Sequence, residues 1–202
     1  MSVAKKPSTA GVFRHPLLST FVGMLLCANS HADWSVTELM QLMAQQKSGK
    51  ASFVEKKYIG FLEKPLESSG ELSFDAPSRL EKRTFKPRPE TVSLDGDKLT
   101  ITLPEKRPIH LRLQEHPEVA SVVESIRGTL SGDKVALERD YAVIVAGEQS
   151  KWQLTLTPIQ KGVAKIVRKI LISGAEANIQ TISFDQADGD RFEMTISKVV
   201  TP

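Results

Sequence analysis

The sequence predicts a mainly β protein with two helices, in which a single-domain curled antiparallel sheet of about eleven strands forms an open half-barrel lidded by the helices. Three observations support this fold. Apolar residues alternate with polar ones over most of the chain, only two segments show a helical period, and the connections between strands are short, as in antiparallel sheets. Because no strands are left for a second sheet, the sheet must curl to cover its apolar face. A sheet this wide leaves an apolar cavity.

The N-terminal part of the chain has the pattern of a secretory signal peptide. A basic leader precedes a short apolar stretch over residues 16–28, and Ser30-His31-Ala32 places small residues at the two positions that a signal peptidase reads. We therefore expect residues 1–32 to be cleaved off and residues 33–202 to form the mature domain in the periplasm. The apolar stretch is shorter than the roughly 20 residues that cross a bilayer.

Cys27 allows an alternative interpretation of the leader, in which it is a lipoprotein signal and this cysteine becomes acylated. Leu26 stands directly before Cys27, where a small residue is expected. The sequence therefore favours an ordinary signal peptide.

Removal of the leader makes the chain formally neutral. The leader holds three of the 27 Lys and Arg residues and none of the 24 Asp and Glu residues. The basic charge of the whole chain therefore does not indicate a nucleic-acid partner. The only cysteine leaves with the leader as well, so a hydrophobic core has to hold the fold without disulfides. We expect one domain, since no linker or repeat divides the chain, and we expect it to be a monomer.

A capping box opens the first predicted helix. Ser35 is followed three residues later by Glu38, and apolar residues recur behind them with the period of a helix. The pattern predicts that this helix ends near residues 47–49.

The second predicted helix has Pro117 in its first turn. We expect one stripe of this helix to cover the half-barrel as a movable lid, although a permanently packed helix would show the same pattern. The stripe consists of Val119, Val122, Val123, Ile126 and Leu130. On the opposite side, Glu124, Ser125 and Arg127 are predicted to face water.

Alternating apolar and polar residues mark the strands. The clearest are in residues 66–75, 99–103, 109–114, 152–157 and 192–197, and weaker runs lie in residues 53–61, 80–85, 92–94, 141–145, 166–172 and 179–184. Seven apolar members of the clearest strands are expected to face the cavity. They are Leu72, Phe74, Leu99, Ile101, Leu111, Leu154 and Leu156.

Two Asp-Gly-Asp sequences, at residues 95–97 and 188–190, lie between apolar runs. Hairpin turns explain them, and calcium loops are the alternative, but neither sequence continues with the ligand spacing of such a loop. Residues 86–89, with one lysine and one arginine, form either a basic patch for an anionic partner or a solvated strand edge. No metal and no cofactor is expected.

The sequence offers little for catalysis, and we expect a protein that is not an enzyme. Ser125, His116 and Asp133 have the residue types of a nucleophilic triad, but the Gly-x-Ser-x-Gly elbow is absent. We expect Ser125 to be a solvent-exposed residue on a helix face and His116 to lie at the entrance of the helix. Neither His110 nor His116 is spaced with cysteine or carboxylates as metal ligands are.

The order and spacing of several short motifs resemble one known family. The motifs are Ala51-Ser52-Phe53, Gly70-Glu71-Leu72, Pro77 with Leu80, Pro89, residues 94–99, residues 152–158 and the turn at residues 188–190. They are similar to those of the periplasmic outer-membrane lipoprotein carriers, the LolA-like proteins. The resemblance implies a half-barrel whose concave face, lidded by helices, shields the acyl chains of a lipidated cargo on its way to the outer membrane.

The chain departs from these carriers at two positions. The carriers have an arginine before the proline that here is Pro77, where it helps to hold the lid closed, and this chain has Ala76. They also have an aromatic residue two positions after Leu80, where this chain has Lys82. We expect Lys82 either to reach water at the rim or to contact an acidic head group of the cargo.

The resemblance implies a carrier function, and two segments suggest a particular cargo. Residues 65–72 and 124–133 are similar to LolA-related proteins found with aryl-polyene and other pigment-lipid biosynthesis genes. We expect a periplasmic carrier that takes a lipid or lipoprotein cargo from an inner-membrane donor to an outer-membrane acceptor and holds its acyl or polyene chain in the cavity. The alternative is a lipid- or lipoprotein-sensing or chaperone-like binding module without transport, which usually brings a second domain. The expected ligand-binding residues are Leu72, Phe74, Leu80, Lys82, Leu99, Ile101, Leu111, Val119, Val122, Val123, Ile126, Leu154 and Leu156.

Overall fold

The computed structural model describes residues 34–198. The predicted signal peptide, its cleavage site and Cys27 lie outside these residues. The described helices are α1 (Val36–Met43), α2 (Pro117–Ser131), α3 (Lys134–Asp140) and α4 (Lys161–Ala164), with a 3₁₀ turn at Leu113–Glu115. The described strands are β1 (Ser48–Tyr58), β2 (Leu66–Asp75), β3 (Arg79–Lys86), β4 (Glu90–Asp95), β5 (Lys98–Thr102), β6 (Ile109–Arg112), β7 (Tyr141–Glu148), β8 (Lys151–Pro158), β9 (Val167–Ala175), β10 (Asn178–Gln186) and β11 (Arg191–Lys198).

The eleven strands form one open sheet in the order β6-β5-β4-β3-β2-β1-β11-β10-β9-β8-β7. Every neighbouring pair is antiparallel. Strands β6 and β7 are the two edges, and the chain between them forms α2 and α3. The predicted mainly β fold, an open antiparallel sheet with helices, is therefore confirmed.

Both Asp-Gly-Asp sequences are hairpin turns, as predicted. Gly96 and Gly189 adopt positive φ angles of 59° and 97°, which glycine accepts without a steric cost. The carboxylates of the turns hold neighbouring loops, since Asp97 Oδ1 accepts a hydrogen bond from the Gln114 N–H and Asp190 Oδ1 accepts one from the Gly60 N–H, each at 3.1 Å. These aspartates therefore have structural partners.

The first helix begins as predicted and ends earlier than predicted. The capping box is present, because the Glu38 N–H donates to Ser35 Oγ at 3.2 Å and the Ser35 N–H donates to Glu38 Oε2 at 2.8 Å. The helix ends at Met43 and not near residues 47–49, because Ser48 already pairs with Asp75 in the sheet.

The count of two helices was too low. Helix α3 has seven residues and α4 has four, so neither is long enough to show a clear helical period. Asp133 caps α3, since its Oδ1 accepts a hydrogen bond from the Ala136 N–H at 3.0 Å. A short helix with a local cap depends more on its packing than on its own pattern.

The main hydrophobic core lies between the short helices and the C-terminal strands. On β8, Leu154 and Leu156 are fully buried, and Trp152 beside them is 2% exposed. They pack with Ile170 and Ile172 of β9 in the same buried cluster. Burial of each leucine or isoleucine contributes about 1.5–3 kcal/mol, so this half of the sheet supplies much of the stability of the fold.

One side of helix α2 is buried through small polar residues, and the prediction that Ser125 faces water was wrong. Ser125 and Thr129 are fully buried and Ser121 is 7% exposed. The hydroxyls of Ser125 and Thr129 bond to carbonyls of the same helix, since Ser125 Oγ donates to Val122 O and Thr129 Oγ1 donates to Ser125 O, both at 2.6 Å. Because the hydroxyls are satisfied within the helix, this side can pack against protein.

Helix α3 and the start of β7 cover this polar side of α2. A Cβ atom on Gly128 would lie 3.0 Å from Leu137 of α3, so the glycine permits a close approach of the two helices. The Tyr141 hydroxyl donates to Ser121 O at 3.1 Å, and Ser121 Oγ donates to Asp140 Oδ2 at 3.0 Å. A polar sequence stripe is therefore a packing surface in this helix.

Candidate ligand-binding site

A cavity of about 650 Å³ lies between the inner face of the sheet and helices α1 and α2. Strand pairing explains which residues face it, because residues directly opposite each other in neighbouring strands point to the same side. One such row runs across five strands from Ala51 through Leu72, Lys82 and Val92 to Ile101. The first four residues of the row line the cavity, and Ile101 lies beyond it.

The structure brings most of the predicted ligand-binding residues together around this cavity. Those that line it are Leu72, Phe74, Leu80, Lys82, Leu99, Val122, Val123 and Ile126. The helix residues among them belong to the apolar stripe of α2, which also contributes Leu130. Helix α2 thus turns its apolar side to the cavity and its small polar side to α3.

Five of the predicted residues, Ile101, Leu111, Val119, Leu154 and Leu156, do not line the cavity. Ile101 and Leu111 lie on β5 and β6 at one edge of the sheet, and Val119 lies in the first turn of α2. Leu154 and Leu156 are on the inner face, as expected, but they are fully buried in the core. The alternation of apolar and polar residues shows which face of the sheet a residue is on. It does not show where along that face the cavity between sheet and helices begins and ends.

Much of the cavity wall was not predicted from the sequence. Strands β10 and β11 contribute Ile182, Phe184, Phe192, Met194 and Ile196. The alternation at Phe192, Met194 and Ile196 was visible in the sequence as a strand signal. What the sequence did not show is that β11 pairs with β1 in the middle of the sheet.

Lys82 extends from β3 over the inner face and forms an ion pair with Glu55 of β1. The side chains of Lys82 and Glu55 are only 29% and 15% exposed. The Lys82 Nζ atom lies 5.1 Å from the ring centroid of Phe53 and 5.9 Å from that of Phe192, both within cation–π range. Strand β2 lies between β3 and β1. On β2, Gly70 stands between the residue that pairs with Lys82 and the residue that pairs with Glu55, and it has no side chain.

The anion that Lys82 meets within the protein is therefore Glu55. For this lysine we expected either water at the rim or an acidic head group of the cargo. Neither expectation included an ion pair with a residue of the same chain. Lys82 lines the cavity and Glu55 does not, so the cavity side of the pair presents the ammonium group.

Arg127 fixes helix α2 to the turn between β4 and β5. Its Nη1 donates to the carbonyl oxygen of Gly96 at 2.7 Å, and its Nε donates to Glu124 Oε2 at 3.1 Å. Arg127 and Glu124 are 21% and 15% exposed in their side chains, so the predicted solvent-facing position of these two residues was wrong. The half-buried guanidinium is satisfied by both contacts.

The residues considered for catalysis have other positions and partners. His116 stands at the N-cap of α2, as predicted, whereas Ser125 and Asp133 make the local hydrogen bonds described above. Among residues 34–198, no three His, Cys, Asp or Glu side chains are grouped as metal ligands would be. None of the helices in that part of the chain is long and apolar enough to span a bilayer.

Over residues 28–198, the sequence matches a protein family described as outer membrane lipoprotein carrier protein LolA-like. The chain belongs to this family. A relative from Dechloromonas aromatica (strain RCB), an outer-membrane lipoprotein carrier protein, is 27% identical to this LolA-like chain over 132 residues. The match covers 65% of the chain and spans 61% of the length of that relative.

Two solved structures are also similar to the LolA-like chain. A LolA superfamily protein from Nitrosomonas europaea is 12% identical, with 84% of this chain and 96% of that chain covered and a TM-score of 0.42. The MucA/MucB complex of Pseudomonas aeruginosa contains a chain that is 14% identical, with 83% of this chain and 58% of that chain covered and a TM-score of 0.44.

Proposed function

We propose that this LolA-like protein is a carrier that binds the acyl chain of a lipidated cargo in the cavity between the sheet and helix α2. The cavity itself carries this proposal. Its volume of about 650 Å³ falls within the usual size of small-molecule sites, which are mostly apolar with a few polar groups. The cavity has this composition, because its largely apolar wall includes a few charged residues, namely Lys50, Glu81, Lys82 and Lys198.

The free energy of such binding would come from the apolar chain. Transfer of one methylene group from water to an apolar site contributes about 0.8 kcal/mol, so about ten methylenes would contribute roughly 8 kcal/mol before the cost of ordering the ligand. The cargo could therefore be held firmly without any covalent step. The proposal assigns no catalytic role to the site.

Transport is the second part of the proposal. The family and the relative, both described as outer-membrane lipoprotein carriers, support a carrier role. The protein would receive a lipoprotein or another lipidated molecule at the inner membrane and give it to an acceptor at the outer membrane. A polyene chain is a further candidate cargo, because residues 65–72 and 124–133 are similar to proteins found with aryl-polyene genes.

Native mass spectrometry of the protein purified from its own periplasm tests the cargo. We expect a population heavier than the apo chain by the mass of an acyl or polyene lipid or a lipoprotein, and mild activation should release it. Protein that is free of lipid in every charge state, and that also fails to bind a fluorescent acyl probe, would rule out the proposed function.

A transfer assay separates a carrier from a binding module without transport. Loaded protein is mixed with outer-membrane vesicles, and the cargo is followed after the vesicles are sedimented. A carrier releases cargo to the vesicles, whereas a sensing or chaperone-like module keeps it in the supernatant.

A further inference from the structure

The ion pair between Lys82 and Glu55 is an unusual feature in a lipid cavity. Burial of a charged group in apolar surroundings is unfavourable unless the charge is paired and hydrogen-bonded. The pair provides this compensation, and the rings of Phe53 and Phe192 lie beside the ammonium group. The structure therefore keeps a polar group in the cavity wall, at a position where an apolar residue would have needed no partner.

The two members of the pair differ in what they offer a ligand. An ammonium group has three donors, and Glu55 Oε2 accepts one of them. Lys82 lines the cavity and Glu55 lies outside its lining. A ligand that reaches Lys82 therefore meets hydrogen-bond donors on a cation whose charge is already balanced, whereas Lys50 and Lys198, which also line the cavity, are exposed.

Charge balance decides which acceptor fits these donors. A carboxylate or phosphate placed against Lys82 would also feel the nearby Glu55 carboxylate, and this repulsion is stronger in a site with little water than in bulk solvent. A neutral carbonyl oxygen has no such repulsion and loses less hydration when it enters the cavity. The pair thus favours a neutral acceptor over an anion.

We propose that Lys82, with its charge compensated by Glu55, binds the ester or amide carbonyl of the acyl cargo and makes this part of the cavity selective for neutral acyl groups over free acids. This inference rests on the proposed function, since it requires that an acyl chain occupies the cavity. Glu55 acts as the selectivity residue, because it determines whether Lys82 presents a neutral pair or a free cation.

Competition between chain-matched ligands tests the inference. Methyl palmitate, palmitate and hexadecane are each titrated against a bound fluorescent acyl probe at pH 7.5, in low and in high salt. We expect the wild type to bind methyl palmitate at least tenfold more tightly than palmitate. In Glu55→Gln, we expect palmitate to gain at least tenfold relative to the ester, and this gain should shrink as salt is raised.

Two further variants examine Lys82 itself and the specificity of the effect. Lys82→Met should reduce the affinity for methyl palmitate by roughly tenfold, the loss of one hydrogen bond, and leave hexadecane unchanged. The matched control is the Lys56–Glu67 pair on the other face of the sheet, with an Nζ–Oε1 distance of 3.3 Å. Glu67→Gln should leave the ratio of ester to acid affinity at its wild-type value.

The outcomes separate this inference from the proposed function. If none of the three ligands displaces the probe, and the probe itself does not bind, the lipid-binding function fails. If all three bind and the wild type does not distinguish ester from acid, or if Glu55→Gln leaves their ratio unchanged, only the selectivity assigned to the pair is wrong. Should Lys82→Met fold poorly because Glu55 is left unpaired, the wild type and Glu55→Gln still decide the question.

Discussion

The guanidinium of Arg127 donates a hydrogen bond to the carbonyl oxygen of Gly96 at 2.7 Å. This contact joins the middle of helix α2 to the turn between β4 and β5, and Glu124 holds the guanidinium in place. The resemblance to the lipoprotein carriers implies an arginine before the proline that here is Pro77, and this chain has Ala76 there. In this protein, an arginine on the helix binds the sheet instead.

Removal of this contact should make the cavity easier to load. We predict that Arg127→Met binds a fluorescent acyl probe roughly ten- to hundredfold faster than the wild type, because a charge-assisted hydrogen bond of about 1.5–3 kcal/mol no longer opposes movement of the helix. Stopped-flow fluorescence measures the rate. Arg107, which is exposed in the loop between β5 and β6, serves as control, and Arg107→Met should load at the wild-type rate. An unchanged rate in a folded Arg127→Met protein would show that α2 is a fixed part of the structure.

A charge in the cavity wall should abolish binding of the probe. Leu72→Asp places a carboxylate on the lining of the cavity, and burial of an unpaired carboxylate costs several kcal/mol. Val54→Asp adds the same charge on the outer face of β1, where Val54 is 49% exposed, and it should bind the probe normally. Probe titration measures both variants, with circular dichroism to confirm folding. Equal affinities would place the probe outside this cavity.

Two glycines with similar backbone angles should respond differently to substitution. Gly132 has a φ of 71°, and a Cβ atom there would lie 2.2 Å from Met40 O. Gly96 has a φ of 59° with open space around it. We predict that Gly96→Ala costs only the strain of the left-handed backbone, about 1–2 kcal/mol, and that Gly132→Ala costs clearly more. Urea unfolding measures the free energy of unfolding of both variants. Equal losses of stability would mean that α1 moves away from the new Cβ atom at no cost.

Tyr141 should make the fold sensitive to alkaline pH. Burial, together with the neighbouring Asp140 carboxylate, raises the pKa of the Tyr141 hydroxyl above its ordinary value of 10.0. The folded protein therefore keeps this proton at a pH where the unfolded chain loses it. The resulting stability is complete below pH 10 and is lost as the pH rises further, by up to about 1.4 kcal/mol per pH unit.

Tyr141→Phe is the test of this pH dependence. The variant lacks the hydrogen bond to Ser121 O and should be about 1 kcal/mol less stable at pH 7, but its free energy of unfolding should fall less steeply above pH 10. Urea titrations at pH 7, 9, 10 and 11 give the two slopes. Parallel curves for both proteins would assign the alkaline loss to other groups.

The strands could be predicted because burial of one face of the sheet makes apolar and polar residues alternate along each strand. This alternation is visible within a few consecutive residues. The cavity could be predicted only in part. Ser125 and Thr129 are polar in the sequence, and they are buried because their hydroxyls bond to their own helix, which no pattern of polarity shows. Glu55, the partner of Lys82, is 27 residues away in the chain, and only the pairing of the strands brings them together.

The central position of the β1–β11 pair affects how the protein acquires its binding site. Ser52 and Ser197 are partners in this pair and are 145 residues apart in the chain. Pairing over such a distance requires closure of a very long loop, and proteins that depend on such contacts fold slowly. Within the described sheet, the cavity walls on β2–β5 and on β10–β11 meet at this pair. A chain in which β11 is not yet paired with β1 therefore lacks a continuous sheet behind the cavity, so the cavity wall is completed late in folding.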